Sequence, residues 1–409
     1  MGSTPDAVRP SATVLSVSKS GRMRLTLRRS QMNSPNTTKR VQTIIVGGGQ
    51  AGLSVGYHLA KRGLSFLILD ANPHIGDAWR NRWDSLKLFT PARTAGLPGF
   101  PFPMRGDLAP TKDQMADYLQ KYAERFHLPV SNGIKVDSLT KESERFVMTA
   151  GDLRFESENV VVAMANYQKP RTPVYARDLE PGIVQLHAHE YRNPSQLRDG
   201  GVLLVGVGNS GAEIGLELAR THRTWLSGKE AGHIPVRIDS VIGRFVVTRV
   251  VRFIGHHILT LGTPIGRRLR PKMLSHAAPL VRVRPIDLSN AGVERVPRVV
   301  GVQNGKPLLN DGRTLDVQNV IWCTGYDPGF SWIHLPIFGE DGQPVHERGI
   351  VTNEPGMYFV GLHFLYSMTS ATLIGVGRDA RHVVKKIQSR MRTHTSRSME
   401  RIPQVKTAL

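Results

Sequence analysis

A run of β-branched residues, Thr43-Ile44-Ile45-Val46, leads directly into Gly47-Gly48-Gly49-Gln50-Ala51-Gly52. Beyond it an apolar pattern of helical period runs from Leu53 to Ala60. A strand, a G-x-G-x-x-G turn and a helix in that order leave few folds open, because the turn serves a phosphate held at a helix N-terminus. Gly47 permits the tight bend. Gly49, with Gln50 and Ala51 beside it, brings backbone N–H groups up to a pyrophosphate, and Gly52 lets helix and strand pack closely. A second strand, Ser65 to Leu69, ends in Asp70, where a carboxylate can bond a ribose diol and repel a 2′-phosphate. The first turn therefore suits FAD or NAD better than NADP.

One such turn is a weak signal, but the construction recurs. Val202-Leu203-Leu204-Val205 leads into Gly206-Val207-Gly208-Asn209-Ser210-Gly211 and a second helical pattern from Ala212 to Ala219. The strand that follows, Arg223 to Ser227, ends without an acid and is succeeded by Gly228-Lys229. A hydroxyl at Ser227 and an ammonium at Lys229 suit a 2′-phosphate, so the second turn is expected to take NADPH. The fold expected is α/β, with two Rossmann-like dinucleotide-binding domains.

At 409 residues the chain can bury more than one core. Its single cysteine, Cys323, excludes an internal disulfide and with it any flavoenzyme that relays electrons through a dithiol pair. A net charge of +21 would suggest nucleic acid, but the charge is segmental. Residues 1–40 hold eight Lys or Arg against one acid, residues 241–298 eleven against two, and residues 389–409 five against one. Solvated arms and one basic region account for it, and no nucleic-acid partner is expected.

Residues 1–40 are basic, rich in Ser and Thr and without hydrophobic period, so a disordered extension is expected. They also fit a transit peptide or an upstream segment ahead of a start at Met32. Trp79 and Trp83 lie four apart and should share a helical face. The loop carrying them leaves the strand that ends in Asp70, which puts Trp79 and Thr90 near a bound flavin. Thr111-Lys112-Asp113-Gln114 caps a helix expected over 112–126, and Val160-Val161-Val162-Ala163-Met164 reads as a buried strand. Residues 241–284 are apolar and basic together, without an uncharged stretch long enough to span a bilayer. A helix packed on the protein's own surface is expected there, with an interfacial helix as the alternative. A last helix is expected from Ser370 to Ile387.

Taken in order, these motifs resemble those of the single-component flavin-containing monooxygenases, and within them bacterial members related to the plant indole-pyruvate monooxygenases. The likeness spans about residues 42–387. It includes the turn Gly47 to Gly52, a Gly76-Asp77-x-Trp79 loop, the turn Gly206 to Gly211, and Cys323-Thr324-Gly325 at a second Ala-Thr-Gly position. The first such position reads Ala163-Met164-Ala165 instead. The family's F-x-G-x-x-x-H-x-x-x-[YF] fingerprint keeps His187 and Tyr191, with Pro181 and Ile183 in place of Phe and Gly. The resemblance implies a discontinuous FAD domain, residues 41–165 and 320–388, with an NADPH domain inserted at 166–319 and a basic tail at 389–409. It also implies that Thr324 and Gly325 lie at the flavin, and that His187 holds the linker between domains.

The activity so implied is transfer of one oxygen atom from O2 to a small organic substrate through a C4a-(hydro)peroxyflavin, in the cytoplasm. The cofactor carries the chemistry, so no catalytic side chain is named. Two other functions compete. An NADPH oxidase or flavin reductase would make no oxygenated product, and a nucleotide sensor would not let NADPH reduce the flavin. Substrate and oligomeric state are not legible.

Overall fold

The computed structural model describes residues 38–104, 106, 108–230, 232–234, 248–275 and 278–400. Most of the basic extension, residues 401–409 of the tail and part of the 241–284 region lie outside the described residues. In chain order the strands are β1 (Thr38–Val46), β2 (Phe66–Asp70), β3 (Val130–Asn132), β4 (Ser138–Glu142), β5 (Arg145–Ala150), β6 (Leu153–Val162), β7 (Lys169–Pro170) and β8 (Val184–His187). They continue as β9 (Val202–Val205), β10 (Thr224–Ser227), β11 (Glu294–Val296), β12 (Val299–Gln303), β13 (Lys306–Leu309), β14 (Asn319–Trp322), β15 (Tyr326–Asp327) and β16 (Met357–Phe359).

Two sheets result. The first runs β3-β2-β1-β6-β5-β4, with β16 also on β6. Its β6 is ten residues long and has three partners: β1 along one side, β5 on its first half and β16 beside Val160–Val162. The apolar end of β6, with Val160, Val161 and Val162 fully buried, is the half that lies between parallel neighbours. The second sheet, β11-β10-β9-β14-β8, is parallel throughout. The fold is thus α/β, built on two largely parallel sheets.

In each sheet a helix follows a glycine turn, α1 (Gln50–Ala60) after β1 and α4 (Asn209–Leu218) after β9. The helix α3 (Lys112–Arg125) starts where expected. The Thr111 hydroxyl accepts from the Gln114 N–H at 3.2 Å, and the Gln114 side chain accepts from the Thr111 N–H at 2.9 Å.

Three expectations are corrected. The strand at 319–322, expected to begin the return to the first domain, is hydrogen-bonded between β9 and β8 in the second sheet. Four consecutive apolar residues announce a buried strand without saying which sheet buries it. Trp79 and Trp83 do not share a face, because the helix α2 (Asp77–Arg80) ends between them. Trp79 packs on the first sheet's core and Trp83 is buried in the second's. The last helix, α7 (Leu373–Glu400), runs well past Ile387, so about half of the supposed tail is helical.

The chain crosses between sheets twice, and the crossings touch. β7 on the outward path pairs antiparallel with β15 on the return, Tyr326 opposite Pro170 and Asp327 opposite Lys169.

Candidate cofactor site

The two glycine turns are copies of one construction. Gly47 and Gly206 have φ of +110° and +117°, which β-carbon-bearing residues avoid. A Cβ on Gly52 would meet the Gly47 carbonyl oxygen at 1.9 Å, and one on Gly211 the Gly206 oxygen at 2.0 Å. The middle glycines differ in kind: around Gly49 and Gly208 no atom comes within 4 Å of a built Cβ. Outer and last glycines are required by the protein itself. The middle ones face open space at a helix N-terminus, where only an approaching ligand needs the missing side chain. These cradles fit the diphosphate of a dinucleotide.

The residues after the middle glycines also correspond. The Gln50 side chain donates to the Ala371 carbonyl at 3.1 Å. The Asn209 side chain donates to the Pro279 carbonyl at 3.1 Å and accepts from the Val281 N–H at 2.9 Å. Each amide ties its turn to a segment far along the chain. Ser210 and Ala51 lie in the first turns of their helices.

Asp70 sits beneath the first turn, as the strand-end position requires. Its carboxylate accepts from the Gly48 N–H at 2.5 Å and from the Asn72 N–H and side-chain amide at 2.7 and 2.8 Å. At the second turn Ser227 is fully buried. Its hydroxyl donates to the Pro297 carbonyl at 2.8 Å and accepts from the Val299 N–H at 3.0 Å. That corrects the expectation of a free hydroxyl, since the buried serine fastens β10 to the following segment. Lys229 is exposed beyond it. Beside it stands a cation that the sequence does not single out, Arg295, which donates to the Gly228 carbonyl at 3.0 Å. Nothing in the linear pattern signals that the parallel pairing of β11 with β10 will bring Arg295 there.

The two strand-end motifs pack beside the two turns. A Cβ on Gly47 would meet the Ala163 carbonyl at 2.8 Å, and one on Gly206 the Cys323 carbonyl at 2.3 Å. Thr324 and Gly325 therefore end the central region of the second sheet, next to the Gly206 turn. The Thr324 hydroxyl donates to the Arg171 carbonyl. Burial pushes the Cys323 thiol up to about 12, which leaves it protonated and inert. Of the loop residues, Trp79 and Thr90 are partly buried. Gly76 and Asp77 serve the loop's own turn: Gly76 has φ +93° against Ala116, and Asp77 accepts from the His74 N–H and from Arg80.

His187 holds the crossing. Its Nδ1 accepts from the His189 N–H at 3.0 Å, so Nε2 carries the proton and donates to the Gly325 carbonyl at 3.1 Å. Burial holds its pKa below the usual histidine value. Tyr191 is fully buried and donates to Glu217 at 2.9 Å. Around Tyr326 the crossing gathers His187 and His189, Tyr167 and Arg82, whose guanidinium donates to the Tyr326 hydroxyl at 2.8 Å. Glu213, in the second turn of α4, has its pKa pushed up to about 7 by burial, with Arg282 3.9 Å away as a partial counterion.

Residues 44–231 match the family described as pyridine nucleotide-disulphide oxidoreductase. An oxidoreductase of Geobacillus kaustophilus, named as CzcO-like and uncharacterized, is 38% identical over 352 residues, 85% of this chain and 98% of that one. The probable indole-3-pyruvate monooxygenase YUCCA3 of Arabidopsis thaliana is 28% identical, with 85% of this chain and 86% of that one covered. Among solved structures, a flavin-containing monooxygenase from Stenotrophomonas maltophilia superposes with a TM-score of 0.69 at 29% identity, covering 86% of this chain and 99% of that one. The protein is an enzyme, an oxidoreductase, and it has no second cysteine with which to reduce a disulphide relay. The chain belongs to the single-component flavin-containing monooxygenase family.

Proposed function

We propose that this enzyme uses NADPH and a bound FAD to place one atom of O2 on a small organic substrate. The observation that carries the reading is the pair of open middle glycines, Gly49 and Gly208, on otherwise closed turns at the ends of parallel strands in two sheets. In this reading residues 38–165, with the chain from about 328 to 400, form a Rossmann-like FAD domain. Residues 171–325 form the inserted Rossmann-like NADPH domain.

Bound FAD would accept a hydride and activate oxygen. The protein's share is positioning. Gly47, Gly49, Gln50, Ala51 and Gly52 would hold the diphosphate of FAD, and Asp70 the ribose end. Gly206, Gly208, Asn209, Ser210 and Gly211 would hold that of NADPH, with Lys229 and Arg295 at its 2′-phosphate. Trp79 and Thr90 would line the flavin, and Thr324 and Gly325 the approach of the nicotinamide. His187 keeps its proton and orients the crossing.

Anaerobic titration of the purified protein with NADPH tests the first half: the flavin absorbance should bleach. Readmitting oxygen with candidate substrates tests the second. Peroxide formed one-for-one with NADPH at every substrate would replace oxygenation by an oxidase function. A flavin that NADPH fails to bleach would leave a sensor.

A further inference from the structure

We propose that the helix α6 (Pro264–Ser275) docks this enzyme on anionic membrane surfaces. Nearly every described residue of the helix is exposed. Gly266 is buried, and a Cβ there would meet the Thr260 carbonyl at 2.0 Å. Arg270, one turn on, is half-buried, and its charge helps lower the pKa of the half-buried His346 to about 4, after burial itself. The inward side of α6 is thus a glycine and an arginine. Its outward side carries Ile265, Leu269 and Met273 at successive four-residue steps, 55%, 37% and 38% exposed. Nearby in the chain, Val250 and Phe253 of α5 (Thr248–Phe253) are also exposed.

A stripe of this kind normally marks a contact with a partner or a lipid surface. Charge decides which. From Ser240 to Ile286 the sequence has nine Lys or Arg and no Asp or Glu. The exposed Arg267, Arg268 and Lys272 flank the stripe on α6 itself. A second copy of the chain would bring the same cations together across a two-fold axis, which is repulsive. Nucleic acid would use the cations but not the Ile, Leu and Met between them. An anionic bilayer uses both, burying the apolar stripe among acyl chains while the cations meet headgroup phosphates. No helix among the described residues is long and apolar enough to cross a membrane, so the contact is interfacial.

The test is sedimentation of the full-length, FAD-loaded chain with vesicles of phosphatidylcholine, alone or mixed with phosphatidylglycerol. Wild type should sediment only with the anionic vesicles, and added salt should release it. The variant Arg267→Gln/Arg268→Gln should bind roughly thirtyfold more weakly, on the order of 1 kcal/mol per cation removed. The variant Ile265→Ser/Leu269→Ser/Met273→Ser should also lose binding while keeping its FAD and its rate of NADPH oxidation in solution. Failure of wild type to sediment would overturn the proposal. So would full binding by the serine variant, which would mark a purely electrostatic patch open to any polyanion. A wild-type dimer that the serine substitutions turn into a monomer would assign the stripe to self-association instead.

Discussion

Ala165 and Gly325 occupy equivalent places, each the third residue beyond the central strand of its sheet, and both are left-handed, with φ of +58° and +84°. Gly325 adopts that conformation freely. An alanine in it costs about 1–2 kcal/mol, from which the greater chain entropy of an unfolded glycine takes back about 0.5–1 kcal/mol. Ala165→Gly should therefore stabilise the first sheet's turn by about 1 kcal/mol. The urea midpoint of the FAD-loaded protein should rise, and a fall would show that the Ala165 methyl has packing worth more than the strain.

The glycine turns separate ligand effects from folding effects. Gly52→Ala puts a methyl 1.9 Å from the Gly47 carbonyl and should give little folded protein. Gly49→Ala meets no protein atom and should fold, yet emerge with less FAD because the methyl fills the cradle. Gly208→Ala should stay yellow and raise KM for NADPH by about tenfold, worth ~1.4 kcal/mol. Flavin content by absorbance, read beside steady-state KM, distinguishes the three; a Gly208→Ala protein with unchanged KM would remove NADPH from the second turn.

Coenzyme choice should rest on Lys229 and Arg295. Replacing either with Ala should raise KM for NADPH several-fold, a charge-assisted phosphate contact being worth about 1.5–3 kcal/mol at most. KM for NADH should hardly move. Equal losses with both coenzymes would mean the two cations stabilise the domain and do not contact the 2′-phosphate.

Acid should destabilise the fold through its buried histidines. His58 is held to about 4 by burial and by Arg62, Arg381 and Lys61, against the bond from its ring to the Gly377 carbonyl. Burial likewise holds His346 and His382 to about 4 and lowers His187. These groups are neutral when folded and take up protons near pH 6.5 when unfolded. Their contribution is complete above about pH 6.5 and is lost as pH falls from there toward 4. The urea midpoint should drop between about pH 7 and about pH 5, and His58→Gln should flatten that drop. Glu213 has the opposite sign: with its pKa raised to about 7, it weakens the fold as pH rises from 4.5 through 7, so Glu213→Gln should be more stable than wild type in mild alkali. A wild-type midpoint flat across acid would show these histidines hydrated in the native state.

Much of the frame around the two glycine turns was legible because glycine spacing, strand composition and capping are local. The Gly47 and Gly206 turns, the Thr111 cap and the buried end of β6 each follow from residues within one helix turn of one another. What escaped depends on contacts between distant segments. The Ser227 hydroxyl is taken by Pro297 and Val299, some seventy residues on. Arg295 reaches Gly228 only through the β10–β11 pairing. The split of Trp79 from Trp83 turns on where a four-residue helix stops, and the placement of β14 on which sheet has a vacancy for it. None of these has a signature in spacing alone.

The pairing of β7 with β15 joins the two connections between the sheets into one two-stranded strap. Two separate tethers would each bear strain alone, whereas strands laid side by side share it through their hydrogen bonds. The rings of Tyr167, His187 and His189 meet the Tyr326 ring edge-on beside that strap. The bond from the His187 ring to the Gly325 carbonyl is held within the same strap, so the end of one sheet is fastened to both connections at once.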